Sequence, residues 1–304
     1  MSKILVTGGA GFIGSHLVDK LVELGHSVLV LDNLSNGKKE NINPKAEFHQ
    51  IDICDFPVMS LYFKEIDFVF HLAALPRVPL SIEDPIGTSK VNISGTINVF
   101  EAARQNKIKR VISTSSSSVY GNQDKLPLRE DMAPNPISPY GLQKLVGEQF
   151  AKLYSELYNL PVVSIRPFNV YGPRIDVNSG YALALGRFLK LKSQKKPLTI
   201  DGDGEQTRGY CYVADLVRAF ILAMQSEKIK GGEVVNAGSD KSYSINFLAD
   251  LIGGEKVFGP ARPGDIRHTQ ADVSKAKELL GWAPEMDFVE GVEITKKWFE
   301  GVKG

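Results

Sequence analysis

Two cysteines in 304 residues, Cys54 and Cys211, exclude a disulfide framework and read as free thiols in a reducing compartment. Long apolar runs are missing too. No stretch approaches the ~20 residues that cross a bilayer, and "MSK" leads into a short apolar run without the anatomy of a secretion signal. Charge of one sign is also absent. With 36 basic against 35 acidic residues the formal net charge is +1, which argues against a nucleic-acid surface or an acidic tail. The lysine-rich piece at 190–196 reads as the solvated end of a helix. No repeat, low-complexity tract or linker divides the chain, and no metal site is expected. The reading is a soluble, cytoplasmic protein, long enough for one large core or two closely packed lobes.

What is present is an alternation. Short β-branched runs ("KILVTG", "SVLVLD", "EFHQID", "DFVFHLA", "RVISTSS", "PVVSIRP") are separated by longer amphipathic stretches at 12–24, 85–107 and 139–159. Strands alternating with crossover helices imply a parallel sheet covered on both faces. After about Pro167 the rhythm loosens. Helical pieces are expected near 180–195, 213–227, 244–252, 273–281 and 288–299, between Gly/Pro/Asp-rich loops. The fold class is α/β, a doubly wound parallel (Rossmann) sheet with a smaller α/β C-terminal substrate lobe. The boundary is placed at 172/173, with a segment near 209–237 returning to the first domain.

"VTGGAGFIGS" (6–15) follows the first strand and opens the first helix. Gly8, Gly11 and Gly14 let the backbone turn tightly and approach a pyrophosphate, whose charge suits a helix N-terminus. Asp32 ends the second strand, where a carboxylate accepts hydrogen bonds from an adenosine ribose and repels a 2′-phosphate, so NAD is expected over NADP. Asp52, ending the third strand, is placed toward the adenine. Further on, "SPYGLQK" (138–144) sets Tyr140 and Lys144 four apart just after a proline. Such a pair meets on any helix and alone means little more than an aromatic beside a surface lysine.

Ten ordered segments change that. "TGGAGFIGS", "DNLS", "HLAA", "NISGTINVFEAA", "TSSSSVYG", "SPYGLQK", "RPFNVYGPR", "GDGEQTR", "YVAD" and "RPGDIRHTQAD" together resemble the extended short-chain dehydrogenase/reductase superfamily over essentially the whole chain. More narrowly they resemble its NAD-dependent nucleotide-sugar epimerases, of the UDP-glucose and UDP-N-acetylglucosamine 4-epimerase type. The resemblance implies a cofactor site made by Gly8, Gly11, Phe12, Ile13, Asp32, Asn33, Asp52, Ile53, Leu72, Ala73, Ala74, Asn92 and Pro167, together with Tyr140 and Lys144. Phe168 would pack near the nicotinamide beside Pro167. It makes Tyr140 the base and Lys144 the cation one turn away that lowers a phenol pKa of ~10. In the run of five hydroxyl residues from 114 to 118, the catalytic one would be Ser116, with Ser117 and Ser118 as close alternatives.

On the substrate side the resemblance implies Ser81, Ser117, Asn169, Arg208, Arg262, Asp265 and Thr269. The two arginines would take the diphosphate, Asp265 the nucleoside ribose, and Thr269 the gate of the sugar pocket. A tyrosine at that gate narrows the pocket to plain hexoses, whereas a small residue leaves room for a 2-acetamido group. One departure stands out: Gly209 follows Arg208 where an aspartate is usual. Dehydratases and the decarboxylase of the superfamily carry an acidic residue before "VYG"; this chain has Ser117 and Ser118. The expected activity is interconversion of UDP-N-acetylglucosamine and UDP-N-acetylgalactosamine, with UDP-glucose and UDP-galactose also accepted. The alternatives are a 4,6-dehydratase, a UDP-glucuronate 4-epimerase or decarboxylase, and a non-catalytic NAD-binding sensor, which would be expected to have lost the Tyr/Lys pair or the arginines. The resemblance also implies a homodimer pairing the helices near 85–107 and 139–159.

Overall fold

A computed structural model describes residues 1–177, 183–261 and 266–301. The chain first lays down β1 (Lys3–Thr7), β2 (Ser27–Leu31), β3 (Glu47–His49), β4 (Phe68–His71), β5 (Arg110–Thr114) and β6 (Val162–Pro167). Between them run α1 (Phe12–Glu23), α2 (Phe56–Met59), α3 (Val78–Glu83), α4 (Pro85–Ser89), α5 (Thr96–Gln105) and α6 (Pro139–Tyr158). It then departs through β7 (Val170–Tyr171), α7 (Ala184–Ser193), β8 (Leu198–Asp201), β9 (Thr207–Gly209) and β10 (Cys211–Tyr212). Helix α8 (Val213–Gln225) brings it back as β11 (Val234–Ala237). The last elements are β12 (Ser242–Ser244), α9 (Ile245–Ile252), β13 (Lys256–Gly259), β14 (His268–Thr269), α10 (Ser274–Leu280) and α11 (Phe288–Gly301).

Seven of these strands form one parallel sheet in the order β11-β6-β5-β4-β1-β2-β3. Alternation along each strand divides its side chains between two cores. Ile4, Val6, Val28, Val30, Val163 and Ile165 face α1 and α8, while Leu5, Leu29, Leu31 and Val162 face the side of α5 and α6. A sheet covered on both faces is why these strands read as continuous apolar runs. The strand order reverses between β1 and β4, and ligand crevices open at such a switch.

The smaller lobe is built on β9, paired antiparallel with β12 and parallel with β14, and on the parallel pair β8–β13. Tyr210 and Tyr243 stack on Phe288 with ring centroids 4.7 and 4.3 Å away. The helix expected at 85–107 is interrupted. Between α4 and α5, residues Lys90–Gly95 form a π-helical turn, and this widened turn carries Asn92 inward to the loop after β4.

Candidate active site

At the β1–α1 turn the glycines are required by contact. Gly8 has φ +74°, its N–H donates to the Leu31 carbonyl (2.8 Å), and a Cβ there would come within 2.6 Å of the Ala73 nitrogen. A Cβ on Gly14 would lie 2.1 Å from the Gly8 oxygen. No side chain caps α1 and its first turn holds no acidic residue; the Gly11 N–H donates to the Gly8 carbonyl at 3.2 Å, and Phe12 and Ile13, at the helix start, line a crevice of about 1010 Å³. An uncapped helix end beside backbone that tolerates no side chain fits a pyrophosphate.

Asp32 lines the same crevice and accepts the Ala10 (3.0 Å) and Leu34 (2.8 Å) amides, one on each oxygen. Each oxygen keeps a second lone pair for a ribose hydroxyl, and burial raises this carboxyl above its ordinary pKa. The Asn33 amide donates to Asp52 at 3.1 Å. Burial pushes Asp52 up, but the Cys54 N–H (2.8 Å) and Asn33 outweigh it and leave that carboxyl below the ordinary range. Ile53, Leu72, Ala73, Ala74 and Pro167 also line the crevice.

Two residues expected at the cofactor are turned elsewhere. The Asn92 side chain accepts the Leu75 N–H (2.8 Å) and donates to the Leu75 carbonyl (3.1 Å) and to Gln143 (2.7 Å). It pins the loop that forms the crevice wall and does not line the crevice itself. Phe168, expected beside the nicotinamide, is fully buried among Val119, Tyr120, Leu128 and Ala271, where backbone rather than a side chain at Gly238 makes room for its ring.

Helix α6 begins where Pro139 fixes the first turn and Ser138 accepts the Gly141 N–H at 3.2 Å. The Tyr140 N–H donates to the Ser81 hydroxyl at 3.0 Å. Ser81, expected on the substrate, is therefore a second support for this helix start. Tyr140 and Lys144 are both buried and line the crevice. Of the serine run, Ser116 is the one whose hydroxyl favours the ionised Tyr140 phenol; it also accepts the Ser118 N–H at 3.1 Å. Burial pushes the phenol up to about 12, opposed only by Ser116. Lys144 is expected to lower it; in the protein alone, burial outweighs any such help. Burial likewise brings Lys144 down to about 8, with the Glu148 carboxylate holding it up. The Lys144 ammonium donates to the Thr114 carbonyl at 2.8 Å, while the Thr114 hydroxyl, on the crevice wall, is buried without a partner. An orphan donor there suits a bound polar ligand.

On the other lobe the structure gathers residues a hundred positions apart. The Asn169 amide donates to the Gly209 carbonyl (2.9 Å) and the Thr269 hydroxyl (3.3 Å), and Gly209 N–H donates to the same hydroxyl at 3.4 Å. A Cβ on Gly209 would press on the Ser239 and Thr269 oxygens at 3.2 and 3.3 Å, which favours glycine over the usual aspartate. Arg208 reaches the carbonyls of Thr207 and Arg267. Arg262 and Asp265 lie outside the described residues.

Sequence reasoning missed a strap across the crevice. Pro173–Val177 is tied to α1 by His16 on the Pro173 carbonyl (2.8 Å) and by Arg174–Asp19 (2.8 Å). At its other end Asp176 pairs with Arg77 at 2.6 Å. Also missed was Glu148, although Tyr140, Lys144 and Glu148 recur every fourth residue on one helix face.

Three kinds of likeness accompany this geometry. The model of the NAD dependent epimerase/dehydratase family matches residues 4–238. A putative UDP-glucose 4-epimerase of Methanocaldococcus jannaschii is 42% identical over 306 residues, covering 98% of each chain. Among solved structures, the UDP-glucose 4-epimerase of Thermotoga maritima, held with UDP-glucose, superposes with a TM-score of 0.95 at 39% identity, over 99% of this chain and 100% of that one. The UDP-N-acetylglucosamine 4-epimerase of Methanobrevibacter ruminantium, in complex with UDP-N-acetylmuramic acid, does so at 0.94 and 38% identity over 99% of both.

Proposed function

As this chain belongs to the NAD dependent epimerase/dehydratase family, we propose that it is a UDP-sugar 4-epimerase acting on UDP-N-acetylglucosamine and UDP-N-acetylgalactosamine, and also on UDP-glucose and UDP-galactose. The observation that carries this reading is the grouping of Ser116, Tyr140 and Lys144 with no carboxylate in the run before Tyr120. Of the acidic residues on the crevice, Asp32, Glu40 and Asp52 belong to the β2–β3 side, and Asp176 is paired with Arg77. Elimination at C5–C6 of a sugar needs an acid beside the base; epimerisation at C4 does not.

NAD is the cofactor of this family, and bound in the crevice it supplies a hydride acceptor and donor for the sugar C4 and a positive ring beside the phenol. The amides of Phe12 and Ile13 would hold the pyrophosphate, Asp32 the adenosine ribose, and Lys144 the nicotinamide ribose. Tyr140 takes the proton of the sugar 4-hydroxyl and later returns it to that same oxygen, once the turned sugar presents the opposite face of its C4. Ser116 steadies the phenol and the sugar oxygen. The 4-keto sugar turns about its link to the diphosphate, so firm grip on the nucleotide (Arg208, Arg262, Asp265) goes with a roomy sugar pocket at Thr269. Residues 1–172 form the cofactor domain and 173–304 the substrate lobe, with 209–237 returning to the first.

A homodimer is part of the same reading. Leu142, Leu153 and Leu157 are exposed along one stripe of α6, in line with half-buried Val146 and Phe150, and Ile86 beside it is 83% exposed. No helix among the described residues is long and apolar enough to cross a membrane. The deciding experiment incubates purified protein, without added NAD, with UDP-N-acetylglucosamine and separately with UDP-glucose, followed by chromatography for the C4 epimers. Epimers from both, or mainly from the acetylated sugar, are expected. Product only from UDP-glucose would overturn the role given to Thr269, and consumption of substrate without any epimer would overturn the epimerase.

A further inference from the structure

We infer that Glu148 is a positioning residue for the reaction: it keeps Lys144 a cation and ties the helix of Tyr140 and Lys144 to the strand end that leads into Ser116. The inference rests on the roles just given to those three residues.

The geometry is unusual for a carboxylate. Glu148 lies on the same face of α6 as Tyr140 and Lys144, one turn further on, and its side chain is 3% exposed. One oxygen accepts the Ser115 hydroxyl at 2.5 Å and the Arg166 Nε at 2.8 Å; the other accepts a second Arg166 nitrogen at 2.7 Å. Ser115 stands at the end of β5 between Thr114, whose carbonyl accepts the Lys144 ammonium, and Ser116. The helix is thus tied twice to the same few residues, once through Lys144 and once through Glu148. Both side chains line a small space of about 10 Å³, also bounded by Ser113, Ser115 and Ser164, about the room one water needs.

A buried ion pair is a poor source of stability, since an apolar pair of similar volume is often as good or better. Its retention here is accounted for by what it does to Lys144. Among the described residues, the charged and titratable groups near that ammonium are Glu148 on its own helix, paired with Arg166 from β6, His71 from β4 and the Tyr140 phenol. His71 is held neutral by burial and the nearby lysine, its pKa down to about 3, and the phenol is protonated. Arg166 on β6 pairs with Glu148 through two nitrogens, and the carboxylate opposes the effect of burial on Lys144. A lysine acts as a cation below its pKa and loses that role as pH rises through it. Lowering the pKa therefore moves the alkaline limb of activity to lower pH.

The test is the pH dependence of kcat/KM for the NAD-loaded enzyme and for Glu148→Gln, Glu148→Asp and Glu148→Gln combined with Arg166→Met. The combined variant leaves no unpaired buried charge, so it guards against unfolding of the single glutamine variant, which strands the Arg166 cation. Loss of the opposite charge is expected to move the alkaline limb down by about one pH unit or more in Glu148→Gln, and by less in the combined variant, where the Arg166 cation is removed with it. Glu148→Asp should keep the limb in place and lose turnover alone. Folded glutamine variants with an unmoved limb, whether fully active or slower at every pH, overturn the inference. Tyr140→Phe run beside them separates the two readings: if it too turns over normally, the catalytic assignment itself has failed.

Discussion

Replacing Tyr140 by phenylalanine removes one oxygen and tests the chemistry directly. Burial holds the phenol at about 12, so at 1.36 kcal/mol per unit its ionised form lies roughly 7 kcal/mol above the protonated one at neutral pH in the protein alone. Nothing else in the buried grouping can accept the sugar proton: Lys144 is a cation donating to a carbonyl, and His71 is engaged by Thr7 and Thr96 at 2.8 and 3.0 Å. A positioned base is worth about 10²–10⁴ in rate, so turnover should fall about 1,000-fold or more. The cofactor content, read from the absorbance of extracted NAD, should be unchanged, because the amides of α1 and Asp32 are untouched. The sign of the pH dependence follows as well. A phenol is active deprotonated, so turnover is lost as pH falls, and the holoenzyme's acid limb should stand well below 12 because loading supplies the missing stabilisation. Turnover of the variant within tenfold of wild type would refute the assignment. Loss of the cofactor in place of loss of chemistry would recast Tyr140 as a binding residue.

Thr269→Tyr should cut turnover of the acetylated sugars by about tenfold or more while sparing the plain hexoses; equal losses in paired assays would mean that position 269 selects nothing. Asp32→Ala should bring the dissociation constants of NADH and NADPH at least about tenfold closer, and it leaves the Ala10 and Leu34 amides without their acceptor, costing about 1–3 kcal/mol in thermal unfolding. Leu157→Asp, on the stripe where Leu157 is 64% exposed, should turn a dimer into a monomer by light scattering. A wild-type chain that already runs as a monomer would end the dimer reading.

The sheet was legible because strands covered on both faces must be apolar throughout, and the glycine turn because backbone contact at Gly8 and Gly14 leaves no choice of residue. Spacing put Tyr140 and Lys144 side by side, since a helix places fourth residues together whatever surrounds it, but only the family resemblance made them a catalytic pair. The same rule would have reached Glu148 one turn on, had the buried partner on β6 been considered. Asn92, Ser81 and Phe168 show the limit. Each sits in a segment rightly placed near the crevice, yet its direction depends on a local feature: the π turn at Lys90–Gly95, the start of α6, and the space over Gly238. The Arg77–Asp176 tie joins residues whose proximity only the finished fold creates, and no local pattern announces it. Nor does any local pattern give the desolvation of the Tyr140 phenol, which is a property of the whole site.

The return of the chain as β11 bears on how the molecule comes to exist. During synthesis β6 is complete long before its outer neighbour, because Ser164 waits for Val234 and Pro167 for Ala237 while β7 to β10 and α8 are still being made. Until then the β6 edge presents unpaired amides and carbonyls flanked by Val162, Val163 and Ile165, the kind of edge that captures other chains. A fragment ended at residue 172 would keep that edge open for good. Such a fragment should aggregate on expression, and adding back α8 and β11 should matter more to its solubility than any change at the crevice.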